Sequence, residues 1–123
     1  MYGRILVGTD GSKTAAIAVD RAAEVAKATG ARLTVMTVGK GEKAERVVTE
    51  AAARVGQSGV VADIKISDGD PASALVSEAD EGNYDLLVVG NKGMQGASRL
   101  MLRNVPNKVS HLTRCALLIV RTT

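Results

Sequence analysis

The chain predicts a doubly wound α/β domain built on a mostly parallel sheet, and three observations carry that prediction. Short apolar runs alternate with one-faced helical stretches along the whole length, strand and helix in turn. Hydrophobic residues make up 46% of the chain but aromatics only 2%. The core must therefore come from Val, Leu, Ile and Ala, which suits helices packed closely on a parallel sheet. The length of 123 residues is that of one domain, enough to bury a core without disulfides or metals.

The elements follow in order. Arg4 to Gly8 is a short apolar run that reads as a buried strand, turning at Thr9-Asp10-Gly11-Ser12. Ala15, Ala16, Val19, Ala22, Ala23 and Ala26 then recur at helical spacing on one face, with Gly30 as the C-cap. Leu33 to Val38 is rich in β-branched residues and predicts the second strand. Gly39-Lys40-Gly41 breaks it. A second helix turns Ala44, Val47, Val48, Ala51, Ala52 and Val55 inward and ends at Gly56 and Gly59. Val60 to Ile66 alternates as an edge strand does. Asp70 and Pro71 are a natural N-cap and first helical residue for a third helix that buries Ala72, Leu75, Val76 and Ala79. Asp85 to Gly90 is apolar on both faces and so predicts a central strand. A long loop, a last helix carrying Val105, Val109 and Leu112, and a final strand from Ala116 to Val120 complete a βαβαβαβαβ order. No repeat or linker interrupts it, so residues 1–123 read as one domain. Right-handed crossovers leave two common sheet orders, 2-1-3-4-5 and the Rossmann-like 3-2-1-4-5.

Composition narrows the function. The formal net charge is +3, but there is no Phe or Trp and only Tyr2 and Tyr84. A nucleic-acid groove needs stacking aromatics beside its basic patch, so nucleic-acid binding is not expected. The single cysteine, Cys115, can form neither an internal disulfide nor a cysteine metal cluster, and a reducing compartment suits it. With no signal-like or membrane-spanning run, the expectation is a cytoplasmic protein without membrane insertion.

Gly90-Asn91-Lys92-Gly93 is the loop best suited to a ligand. Gly90, Gly93 and Gly96 lie between the central strand and the last helix. Glycines there let backbone N–H groups approach a phosphate, and the helix N-terminus adds positive potential. Lys92, Arg99 and Arg103 are near in sequence. The spacing is neither a Walker A loop nor a dinucleotide fingerprint. The same glycines would equally serve a plain change of direction.

Ile5-Leu6-Val7-Gly8-Thr9-Asp10-Gly11-Ser12, the stretch Asp85 to Met94, Val105-Pro106-Asn107-Lys108-Val109-Ser110-His111 and Leu117 to Val120 together resemble the universal stress protein family. The likeness covers almost every element, with an unusually short connection after the second strand. It implies the order 3-2-1-4-5. For one branch of the family it also implies ATP or AMP, with or without Mg2+, held where the winding reverses between the first and fourth strands. That branch carries G-x2-G-x9-G-[S/T]. Gly90 and Gly93 match the first two glycines, but Arg103 and Asn104 stand where glycine and Ser or Thr are expected. The arginine either fills the space of a phosphate or holds phosphate oxygens through its guanidinium fork. Asn104 keeps the capping oxygen that Ser would supply.

The resemblance places Gly8, Thr9 and Asp10 after the first strand, Thr37 and Val38 at the end of the second, and Gly69 after the third around the nucleotide. Gly90, Asn91, Lys92, Gly93, Arg103, Asn104 and Val105 complete the set. Asp10 has a second reading as a cap of the first helix, jointly with Ser12. His111 has no motif partner, and no nucleophile–base pair is visible, so no enzyme is expected beyond slow incidental ATP hydrolysis. The resemblance further implies a homodimer through Leu117 to Val120, against burial of that strand under the last helix. The sequence thus suggests a nucleotide-sensing or signalling dimer. The alternative is a nucleotide-free module acting on a partner such as a transporter or kinase.

Overall fold

The computed structural model describes residues 2–91 and 113–122. Five strands and three helices run in the order β1 (Arg4–Gly8), α1 (Lys13–Thr29), β2 (Arg32–Val38), α2 (Gly41–Gly56), β3 (Ala62–Ser67), α3 (Pro71–Glu81), β4 (Leu86–Gly90) and β5 (Ala116–Val120). The last helix expected from the sequence falls outside the described residues. The strands form one sheet of order β3-β2-β1-β4-β5, and every described pair is parallel. This decides between the two orders left open above in favour of 3-2-1-4-5.

Side-chain parity divides the core into two layers. Ile5, Val7, Leu33, Val35, Leu86 and Val88 point to the face covered by α1 and α2. Leu6, Met36, Leu87 and Val89 point to the opposite face, where α3 supplies Ala72, Leu75 and Ala79. The central strands β1 and β4 are buried on both faces, which is why they read as continuous apolar runs. Alanines at 15, 18, 22, 23 and 26 form the buried stripe of α1, small enough to bring the helix axis close to the sheet. Ala18 takes the inward place that the sequence reading gave to Ala16, which is half-buried.

Helix ends follow the expected chemistry. Ser12 caps α1, its hydroxyl accepting from the Ala15 N–H at 3.1 Å. Gly30 ends α1 in the left-handed conformation at φ 75°. Asp70 caps α3, accepting from the Ser73 N–H at 3.0 Å, with Pro71 in the first turn. The β2–α2 link is only Gly39 and Lys40.

Strand β3 starts two residues later than its sequence suggests. Val60 and Val61 have β-branched side chains, but pairing with β2 begins at Leu33 opposite Ala62. Val61, with no rung to join, is 88% exposed. Ladder pairing outweighs propensity here.

Asp85 also stands outside its expected strand. Its Oδ2 accepts from the backbone N–H groups of Gly3 at 2.8 Å and Arg4 at 2.9 Å, tying the start of β1 to the start of β4. Those two bonds hold its carboxyl below the usual range. A depressed native pKa stabilises above the unfolded pKa, and the contribution is lost as pH falls through the native value. Asp85→Asn mimics the protonated acid. The variant is therefore expected to unfold at lower urea than wild type at neutral pH, and the two should converge in strong acid. A gap between the urea midpoints that stays constant across the titration would show that the charge of Asp85 contributes nothing.

Candidate functional site

The carboxyl ends of β1, β2 and β4 lie side by side, and the winding reverses between β1 and β4. α1, which follows β1, covers one face of the sheet, and α3, which leads into β4, covers the other, the arrangement that leaves a crevice at such a reversal. Gly8 sits opposite Met36 in the parallel register, and the Thr9 N–H donates to the Met36 carbonyl at 2.9 Å. The Gly39 N–H donates to the Ser67 carbonyl at 2.7 Å, which holds the end of β2 against the end of β3. Gly69 follows in the exposed turn after β3, at φ 96°.

The turn after β1 is built from its own polar groups. Thr9 Oγ1 accepts from the Gly11 N–H at 3.1 Å, and Asp10 Oδ1 accepts from the Ser12 N–H at 3.0 Å. The direct cap of α1 is Ser12, while Asp10 orders the turn one step earlier. Among the described residues no other hydrogen bond to the half-buried Asp10 carboxylate is seen, which leaves its second oxygen available. Both readings of Asp10 are compatible with this geometry.

The parity of β2 separates two residues that the sequence reading grouped together. Val38 packs with the α3 layer. Thr37 shares the parity of Leu33 and Val35, so its buried side chain faces α1 and α2. Only one of the pair can offer its side chain to a ligand on a given face of the sheet. Thr9, on the α1–α2 side, borders a cleft of about 160 Å³ whose walls include Val19, Val47 and Ala51. A wider polar groove of about 370 Å³ lies on the α3 side, between Lys65, Ser67, Asp70 and Glu78.

Two glycines of the crevice are also steric requirements. A Cβ on Gly8 would lie 3.0 Å from both Leu75 methyl carbons, so Leu75 of α3 closes the floor beneath the end of β1. A Cβ on Gly11 would lie 2.9 Å from Val47 Cγ2, and Gly11 has φ 84°. The β1–α1 turn is thus seated directly on the second turn of α2.

At the end of β4, Asn91 has a structural role that its sequence position did not suggest. Its N–H donates to the Val120 carbonyl at 2.8 Å, and its Oδ1 accepts from the Thr122 N–H at 2.8 Å and the Thr122 hydroxyl at 3.1 Å. Lys92, Gly93, Arg103, Asn104 and Val105, the remaining expected ligand contacts, lie outside the described residues.

Sequence reasoning also passed over Tyr84. Its hydroxyl lies 3.0 Å from both Thr34 Oγ1 and Glu78 Oε2, and the Arg4 guanidinium sits 4.4 Å above its ring. The single phenolic proton goes to the carboxylate, which can only accept, and Thr34 supplies the other bond. Burial raises the Tyr84 pKa, aided by Glu78. Lys65 Nζ lies 3.6 Å from the other Glu78 oxygen. This chain of polar groups pins α3 to the sheet. One of only two tyrosines in a chain without Phe or Trp was the available signal. Among the described residues no group of His, Cys, Asp and Glu could hold a metal, and no helix is long and apolar enough to cross a membrane.

The model of the universal stress protein family matches the chain over residues 1–43 and 39–121. The two segments meet at the β2–α2 link. Universal stress protein YxiE of Bacillus subtilis is 29% identical over 148 aligned positions, covering 98% of this chain and all of that one. Universal stress protein Rv1636 of Mycobacterium tuberculosis is 32% identical over 144 positions, covering 99% and 98%. Both alignments are longer than the chain's 123 residues, so each relative carries segments that this chain lacks. The crystal structure of a universal stress protein in complex with cAMP superposes with a TM-score of 0.87 at 36% identity, covering 99% of this chain and 98% of that one. Sheet order and family match agree, and the chain belongs to the universal stress protein family.

Proposed function

We propose that this protein binds an adenine nucleotide, ATP or AMP with or without Mg2+, in the crevice between the ends of β1 and β4. It then acts by occupancy rather than turnover. The observation that carries the reading is the reversal of winding between β1 and β4, with the Asp10 carboxylate bonded in the turn after one strand and Gly90 ending the other. The similar protein crystallised with cAMP, 36% identical over nearly the whole chain, supports an adenine nucleotide as the ligand class. In this reading Asp10 meets the ribose, Val38 borders the base, and the backbone beyond Gly90 meets phosphate.

The proposed working form is a cytoplasmic homodimer through Leu117 to Val120, serving as a sensor that alters what the dimer contacts. The support is the edge position of β5, where Leu117 and Leu118 are only partly buried and Ile119 is 43% exposed. An unpaired apolar edge is normally covered.

Thermal unfolding with added AMP or ATP tests the nucleotide. A ligand that binds only the folded state stabilises it by about 2.7 kcal/mol at a hundredfold excess over Kd. For a domain of this size that raises Tm by several degrees. No shift at millimolar nucleotide overturns the reading. Sedimentation of the same samples reads the dimer, and a mass of one chain with and without nucleotide rules it out.

A further inference from the structure

At Asn91 a side chain carries the β4–β5 ladder one rung beyond the strand. Gly90 lies opposite Val120, and the Asn91 N–H donates to the Val120 carbonyl. In a parallel ladder the next bond would run from the Thr122 N–H to the main-chain carbonyl of Asn91. Instead that N–H reaches Asn91 Oδ1 at 2.8 Å, and the buried Thr122 hydroxyl donates to the same oxygen at 3.1 Å. The carboxamide takes the place of the carbonyl. The main chain is thereby released from the sheet direction at the residue after Gly90, while its side chain stays locked to the chain beyond β5. Two donors on one oxygen leave the Asn91 side chain a single orientation, which fixes the peptide joining it to Gly90.

Resting on the nucleotide reading above, we propose that Thr122 is a positioning residue that acts through Asn91, so that ligand at the β4 side of the crevice and the edge strand β5 are energetically coupled. A ligand that meets the Gly90–Asn91 backbone finds it ordered before arrival and does not bear the cost of ordering it. Coupling is reciprocal, so occupancy in turn holds the end of β5 in place. The strand that receives this restraint lies at the sheet edge, where Ile119 is exposed and Leu117 and Leu118 are half-buried. Nucleotide state thus reaches a surface that another molecule can read, without any domain movement.

The test combines calorimetric titration of AMP into wild type, Thr122→Val and Thr122→Ser with amide hydrogen exchange of Leu117 to Val120. Valine keeps the shape but loses the hydroxyl donor, whereas serine keeps the donor. Thr122→Val is expected to weaken AMP binding by about 3- to 10-fold, in line with the loss of one buried hydrogen bond. Thr122→Ser should stay within about 2-fold of wild type. Saturating AMP should slow exchange in β5 of wild type, and the slowing should shrink in Thr122→Val. A merely structural threonine would lower stability without changing the response of β5 to AMP. If wild type binds AMP but β5 exchange does not respond, the coupling is overturned and the nucleotide reading stands. Equal AMP affinity in Thr122→Val has the same meaning. If wild type binds ATP and not AMP, the same comparison is read with ATP; if it binds neither, both are overturned.

Discussion

Leu75→Ala is expected to lower the unfolding free energy by about 2–5 kcal/mol, the range for deleting a buried leucine side chain. Leu75 is 4% exposed and closes the α3 layer over Gly8. For a domain of this length the fall in Tm is on the order of 10 °C, read by calorimetry. The geometry makes a sharper statement about a second substitution. Gly8→Ala alone places a Cβ 3.0 Å from two Leu75 methyl carbons, and overpacking of that kind costs about 1–3 kcal/mol. In the Leu75→Ala background the same Cβ enters the vacated space. The double variant should therefore lose clearly less stability than the sum of its parts. Simple additivity would mean that Leu75 does not press on the end of β1.

Gly11→Ala should be comparably damaging, for two separable reasons. Gly11 has φ 84°, where an L-residue costs about 1–2 kcal/mol. Its new methyl would also meet Val47 Cγ2 at 2.9 Å, adding roughly 1–3 kcal/mol of overpacking. Val47→Ala removes the overlap and leaves the backbone strain. Urea unfolding of the two single variants and the double variant thus isolates the packing part. If Val47→Ala gives no relief, the seat of the turn on α2 is not a packing contact. Gly11 follows Asp10, so the same substitution should also weaken any ligand held by that carboxylate.

Most of the framework was legible because it rests on local rules. The apolar runs at Ile5 to Val7 and Leu86 to Val89 announced strands buried on both faces, and the structure places both at the centre. Ser12, Gly30, Asp70 and Pro71 mark helix ends by chemistry that depends on neighbours within four residues. The start of β3 was misread because Val60 and Val61 have the right side chains but no partner rung. Thr37 and Val38 were grouped because both end the second strand, though alternation along a strand sends their side chains to opposite faces.

The place where the winding reverses was legible, the role of each residue less so. Element order left two sheet orders open, and the resemblance chose the one that brings the ends of β1 and β4, with Gly8 to Asp10 and Gly90, to the reversal. Asn91 was read as a ligand contact, yet its side-chain oxygen is held by Thr122, a residue 31 positions away in sequence. Tyr84 reaches Thr34 across 50 positions. Partners that distant are created by the fold, and no local pattern encodes them. The resemblance to a family supplied the ligand class, which spacing alone could not.

The two-residue β2–α2 link has a consequence for how such chains vary in length. The family match breaks at this link, and the relatives are longer than this chain. Gly41, the first residue of α2, has φ 76° and open space where a Cβ would stand, so the chain is not packed against a neighbour at this point. Closing a loop becomes costlier only with the logarithm of its length, by about 0.6 kcal/mol for each doubling. A dozen residues could be added between these two elements at an energetic cost comparable to that of one buried methyl group misplaced at Gly8. Length is thus freely adjustable beside the crevice, while the crevice floor tolerates almost no change, and chains of this design can remodel the rim of the site without refolding its base.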